Sequence, residues 1–179
     1  MDPLTGVYDR TTLLAMLFRE TDRAQRMKTS LCLLLVGVAV APDAFPYPSP
    51  PIYHDLLRQT ASRLTRQLRS YDLLGRIAEC AFLAVLPGCD ALDAFSLAER
   101  VDREVFGKQF IVGCNSIHVT ARFGVALSAG RSPIVVLREA EEAMRQAEER
   151  ESSPASNAER QCATDSTSES AAFATPRNS

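Results

Sequence analysis

The sequence predicts an α+β domain in which a mainly antiparallel five-stranded sheet is flanked by helices. Two observations carry this expectation. Over residues 1–150 the hydrophobic pattern alternates in the order helix, strand, helix, two strands, helix, two strands, helix. Each pair of strands is separated by only a few residues, the spacing of an antiparallel hairpin. Residues 151–179 read ESSPASNAERQCATDSTSESAAFATPRNS, with Phe173 the one large apolar side chain. Such a stretch buries too little surface to offset its ordering entropy, so a disordered Ser-rich tail is expected there.

Residues 11–27 place Leu13, Leu14, Leu17 and Ala24 near helical spacing among charged residues, with Thr11 or Asp9 available as a cap. The run SLCLLLVGVAV is short and continuously apolar, which predicts a central strand buried on both faces. Residues 41–51 carry five prolines and predict a stiff, irregular loop. Leu56, Leu57, Ala61, Leu64 and Leu68 then mark a second amphipathic helix over 52–68, with arginines on its other side. Residues 71–77 and 80–86 predict a tight hairpin, so AECAF straddles its turn. A third helix is expected over 91–106, two strands around Asn115-Ser116, and a fourth helix from Pro133 to about residue 149.

Composition narrows the function classes. The chain has 179 residues, 46% of them hydrophobic, and a net charge of −2. It therefore lacks the basic field that favours nucleic acid or an anionic membrane. The five cysteines are scattered, without CxxC or Cys/His metal spacing, and read as thiols of a reducing compartment. Met1 is followed by an acidic residue rather than a basic and then apolar segment, and the apolar run at 31–41 is too short to span a bilayer. A soluble, cytoplasmic protein is the expectation.

Several segments in order carry a family resemblance over residues 2–150. DPLTGVYDR resembles the D-x-L-T-G-L-x-N-R opening of GGDEF domains, the diguanylate cyclase family. LLRQTASRLTRQLRSYD resembles the family's second helix, GRIAECAFLAVLPG its signature hairpin and VTARFGVAL its T-x-S-x-G-V strand. AEEAMRQAEE takes the place of the last helix. The resemblance implies a nucleotidyl cyclase-like fold. In active members, two GTP-loaded domains meet and carboxylates hold Mg²⁺, a hard ion that prefers oxygen ligands and bridges phosphates.

Against that pattern the residues expected to do the chemistry are replaced. Where the first strand should end in D-I-D-x-F-K, this chain has Gly37, Val38, Ala39, Val40, Ala41 and Pro42. The signature Gly-Gly-Asp/Glu-Glu-Phe aligns with Ala78, Glu79, Cys80, Ala81 and Phe82, so only the packing Phe remains. Glu79 stands one residue early, and strand alternation would turn it to the wrong face. The guanine-reading Asn and Asp align with Phe45 and His54, and the phosphate-binding Lys and Arg with Glu148 and Ser152. The resemblance thus implies a degenerate domain with no catalytic residues, no Mg²⁺ and no cyclase activity.

Beside the altered signature, Arg69-Ser70-Tyr71-Asp72 matches the family's R-x-x-D inhibitory site, and Arg100 in LAERVDREV matches an arginine that completes it in some members. Two guanidinium forks suit phosphates and guanine acceptor edges, and a carboxylate suits the guanine N1 and N2 donors. The ligand implied is cyclic di-GMP. A bland account stands beside this one: an Arg and an Asp three apart arise readily by composition, and a cation at a helix end is favoured by the dipole.

Other features default to structural roles. Cys80 has no base near it in sequence and reads as an inert thiol, His54 and His118 show no triad or metal pattern, and Arg58, Arg63, Arg66 and Arg69 read as a solvated face. Of three functions, an active diguanylate cyclase has the least support and two others stand ahead of it. One is a catalytically inactive cyclic di-GMP receptor or regulatory module, whose partners are the ligand, a second copy of the domain or another signalling protein. The other is a nucleotide-independent interaction or dimerisation scaffold, because a fold outlasts the site grafted on it.

Overall fold

Strand β2 (Leu31–Val40) organises the fold. Its side chains alternate between two cores: Leu31, Leu33 and Leu35 belong to one, and Cys32, Leu34, Val36 and Val38 to the other. A strand apolar on both faces needs cover on both faces. The computed structural model, which describes residues 1–40 and 49–152, supplies that cover with two layers of helices.

The main sheet runs β1-β3-β4-β2-β7, with β1 at Tyr8–Asp9, β3 at Leu73–Ala78, β4 at Ala81–Pro87 and β7 at Val119–Leu127. Strands β4 and β7 flank β2 antiparallel, with Leu35 opposite both Leu83 and Gly124. Only β1 is parallel to its neighbour, Tyr8 facing Gly75 of β3. Helix α1 (Arg10–Met27) packs Leu13, Leu17 and Ala24 on one side, beside Val136 and Ala140 of α4 (Pro133–Ser152). Helix α2 (Pro50–Gln67) packs Leu56, Leu57, Ala61 and Leu64 on the other, beside Ala94, Leu97, Ala98 and Val101 of α3 (Ala91–Val101). Each fully buried leucine contributes about 1.5–3 kcal/mol relative to an exposed one.

Local chemistry explains several element ends. Asp9 caps α1, its Oδ1 accepting from the Thr12 amide at 2.8 Å, and α1 ends at Lys28 with φ 53°. Asp90 caps α3 in the same way, accepting from the Asp93 amide at 2.9 Å. Ser49 precedes α2 and Pro50 and Pro51 are its first residues, so two of the five prolines expected in the loop start the helix instead. Their missing amides fall where a helix has no use for them.

Three expectations need correction. The segment after α3 forms three strands, because β5 (Phe110–Val112) and β6 (Asn115–Ile117) make a separate hairpin turning at Gly113 and Cys114. Gly113 has φ +61°, a conformation open to glycine, so the turn lies ahead of Asn115-Ser116. The main sheet reaches five strands by recruiting β1 rather than both strands of the later pair. The expected third helix ends at Val101 and continues as a π-helical turn over Asp102–Phe106. The tail from residue 153 and the loop at residues 41–48 lie outside the described residues.

Candidate functional site

Arg69 stands two residues beyond the end of α2, in the turn that leads to β3. It does not end the helix, as the sequence suggested. The turn is closed by Asp72, whose Oδ2 accepts the Arg69 amide at 2.7 Å while the Asp72 amide donates to the Arg69 carbonyl at 3.1 Å. Arg100, near the end of α3, donates from Nη2 to the Gln67 carbonyl at 2.9 Å, satisfying one of the last carbonyls of α2. These contacts bring Arg69, Asp72 and Arg100 around one cavity of about 140 Å³, together with Cys89, Asp93 and Ser96.

Sequence reasoning missed the last three. Asp93, Ser96 and Arg100 follow the three- and four-residue spacing of one helix face, and that signal was available. Cys89 follows β4 and offered no such pattern. Burial pushes the Cys89 thiol up, and the charge of Asp93 pushes it further, with Arg69 opposing. Burial likewise raises Asp72, against the lowering effect of the Arg69 amide and guanidinium. Arg69 is itself raised, first by its bond to the Tyr71 hydroxyl, which its Nη1 reaches at 3.0 Å. The cavity therefore offers two guanidinium groups and a partly desolvated carboxylate, a set suited to phosphate oxygens and to paired base donors.

The β3–β4 hairpin holds the other set of expected residues. Ala78 ends β3, Glu79 and Cys80 form the turn, and Ala81 and Phe82 open β4. Glu79 is thus a turn residue, and strand alternation does not decide its direction. Arg76 donates from Nε and Nη2 to the Glu79 carbonyl at 3.1 and 2.7 Å, and the Val38 amide donates to the Cys80 carbonyl at 2.8 Å. Phe82 is fully buried in the core between the sheet and α2 and α3. Tyr53 of α2 lies close to this tip, its phenol pushed up to about 12 by burial first and then by Cys80 and Glu79. Arg76 also pairs with Asp2 at 3.5 Å, joining the opening DPLTG turn to the hairpin.

The remaining candidates fall elsewhere. His54 is exposed on α2, and His118 is exposed between β6 and β7. Arg63 is not a solvated charge, since it donates to the Val105, Lys108 and Gln109 carbonyls and stacks 3.9 Å over Phe110. It thereby holds the π-helical turn and β5 against α2. Phe45 lies outside the described residues, as do the side chains of Glu148 and Ser152. Among the described residues no group of three or more His, Cys, Asp or Glu is placed to hold a metal ion, and no helix is long and apolar enough to cross a membrane.

Residues 54–154 match the family described as "Diguanylate cyclase, GGDEF domain". The chain belongs to this family, one of cyclic di-GMP metabolism and signalling. Over 154 residues it is 30% identical to the response regulator PleD of Caulobacter vibrioides, a match that covers 82% of this chain and 33% of PleD. The chain thus spans about a third of the curated relatives it matches. The diguanylate cyclase SiaD of Pseudomonas aeruginosa, solved with its activator SiaC, is 32% identical with a TM-score of 0.73, covering 83% of this chain and 57% of that one. The GGDEF domain of DgcB from Caulobacter crescentus, solved with c-di-GMP, superposes with a TM-score of 0.77 at 19% identity, covering 83% and 90%. The last likeness establishes the fold.

Proposed function

We propose that this domain is a cyclic di-GMP receptor or regulatory module without cyclase activity, and that Arg69, Asp72 and Arg100 hold the ligand. The observation that carries this reading is the convergence of all three side chains, from two separate elements, on one cavity. Asp72 would accept from guanine N1 and N2, and the two guanidinium groups would take the phosphates or the O6 and N7 edge. Arg100 spends one nitrogen on Gln67, which orients the fork without exhausting its five donors. The relative DgcB has been solved with this ligand.

The hairpin tip does not fit magnesium. The ion demands near-octahedral oxygen ligands. Along residues 36–40 and 77–82 the one side-chain carboxylate is that of Glu79, beside Val38, Ala39 and Val40. The Glu79 carbonyl already faces the Arg76 guanidinium, whose charge opposes a dication. Loss of Mg²⁺ binding and of cyclase activity is therefore part of the proposal. Purified protein incubated with GTP and Mg²⁺ should release no cyclic di-GMP, and metal-dependent product would overturn the assignment. Calorimetry with cyclic di-GMP should show binding that Arg69→Ala and Asp72→Ala abolish.

A nucleotide-independent interaction scaffold is the second reading. It is favoured by Leu92 and Phe95, which are 79% and 56% exposed on α3. A rise in melting temperature with cyclic di-GMP supports the receptor, and no rise favours the scaffold. The proposed partners are the ligand together with a second copy or another signalling protein. The proposed setting is the cytoplasm, where scattered thiols persist.

A further inference from the structure

Cys89 puts a thiol in the wall of the Arg69 cavity, and Cys32 lies in the same core behind it. The backbone places the two together. Cys32 of β2 stands opposite Leu86 of β4, shortly before Cys89, and Leu86 lines the same cavity. The Gly88 amide then donates to the Ser30 carbonyl at 2.8 Å, and Gly88, with φ +68°, turns the chain off the end of β4 toward α3. Both side chains are buried, Cys32 at 0% and Cys89 at 6% exposure. The Cys32 thiol is pushed up to about 12, by burial first and then by the charge of Cys89, Asp90 and a hydrogen bond with Cys89. Two thiols in contact across two elements differ from scattered ones, because either can resolve an oxidised form of the other.

We propose that Cys32 and Cys89 form a redox site, a dithiol that a small peroxide entering the Arg69 cavity converts to a disulfide tying β2 to the start of α3. Cys89, which faces the cavity, attacks one peroxide oxygen; the O–O bond breaks, and the leaving hydroxide takes the thiol proton and departs as water. The Cys32 sulfur then attacks the sulfenic sulfur of Cys89. The S–S bond forms, the S–O bond breaks, and hydroxide leaves with the Cys32 proton as a second water. The dithiol loses the electron pair that the peroxide gains. Burial and the charge of Asp93 keep the Cys89 thiol protonated while Arg69 opposes them, so the attack is slow at neutral pH.

The new bond replaces the contact in which the Cys89 thiol meets the Asp90 carbonyl at 3.5 Å. Asp90 caps α3, whose Asp93, Ser96 and Arg100 line the cavity, so the thiol pair is coupled to the ligand site. That coupling, unlike the disulfide itself, rests on the receptor reading above.

Peptide mapping of the full chain after treatment with hydrogen peroxide tests the site. The Cys32 and Cys89 peptides should be recovered joined, lighter by a pair of hydrogens, and should separate again in dithiothreitol. Closing the long loop between them should raise the melting temperature by about 5 °C or more, a rise absent in Cys89→Ser. Cys89 recovered as a sulfinic or sulfonic acid with Cys32 a free thiol overturns the site. So does a chain in which both stay unreacted while the exposed Cys80 and Cys114 are oxidised. None of these readouts needs a nucleotide. Saturating cyclic di-GMP should cover Cys89 and slow disulfide formation about fivefold or more, since exchange depends on access. An unchanged rate in protein that calorimetry shows to bind overturns the coupling. Protein that forms the disulfide and binds nothing overturns the receptor and leaves the redox site standing.

Discussion

The Arg69 amide donates to Asp72 Oδ2 at 2.7 Å, so the carboxylate proposed to meet the ligand is also the one that closes the turn carrying Arg69. Among the described residues Asp72 Oδ1 accepts no hydrogen bond. One oxygen closes the turn, and on the proposed reading the other meets the ligand.

The two roles separate by mutation. Asp72→Asn retains an oxygen for the Arg69 amide but loses the charge. Its melting temperature should stay near wild type while cyclic di-GMP affinity falls about tenfold, the scale of a charge-assisted bond. Asp72→Ala loses both roles, so stability should fall by about 1 kcal/mol as well. Thermal melts and calorimetry on the pair check this.

Binding should weaken in mild acid. Burial raises Asp72 above its ordinary 3.8, with the Arg69 amide and charge offsetting part of the rise. A raised carboxylate makes the ionised form costly to the fold above its folded value. That cost disappears as the pH falls through the same value. Accepting from guanine requires the ionised form, so affinity declines at a higher pH than an unperturbed carboxylate would give. Dissociation constants measured between pH 8 and about pH 4.5 should rise toward the acid end in wild type and stay flat in Asp72→Asn.

Asp2 has the opposite sign. Burial pushes it up, but bonds from Thr5 and the pairing with Arg76 outweigh burial and hold it below 3.8. Its contribution to stability is present above the unfolded value and is lost as the pH falls through the lowered folded value. Thermal melts below about pH 4 should therefore fall more steeply in wild type than in Asp2→Asn. Arg76→Ala leaves the half-buried Asp2 carboxylate with its Thr5 bonds but no cation, and frees the Glu79 carbonyl. It should cost about 1–3 kcal/mol at neutral pH in denaturant unfolding.

Gly124 is a packing requirement. A Cβ there would overlap the Ala140 carbonyl oxygen, so α4 would have to lift from β7. Gly124→Ala should cost about 3 kcal/mol or more, the upper end of overpacking. Gly113→Ala, in a turn with open space around it but a positive φ, should cost about 1 kcal/mol. Chemical unfolding of the two variants compares a steric cost with a conformational one.

Much of the site was legible only through likeness to a family. Arg69 and Asp72 are close in sequence, and their turn is local chemistry, but nothing local joins them to Arg100 on another helix. Asp93 and Ser96 shared a helix face with Arg100 and were readable as a set. Which cavity that face would meet was not. Arg63 misled in the other direction, because a charge on an amphipathic helix reads as solvated until the carbonyls of another segment arrive beside it.

The sequence by itself determined the helices, the two-faced burial of β2 and the hairpin at Glu79 and Cys80, because periodicity and turn chemistry act between near neighbours. Tertiary structure decided that Tyr8–Asp9 joins the main sheet and that β5 and β6 leave it. It also decided that the turn after α2 and one face of α3 meet around a single cavity. Those outcomes depend on how elements rotate and stack against one another to bury two cores at once, and no local spacing encodes that.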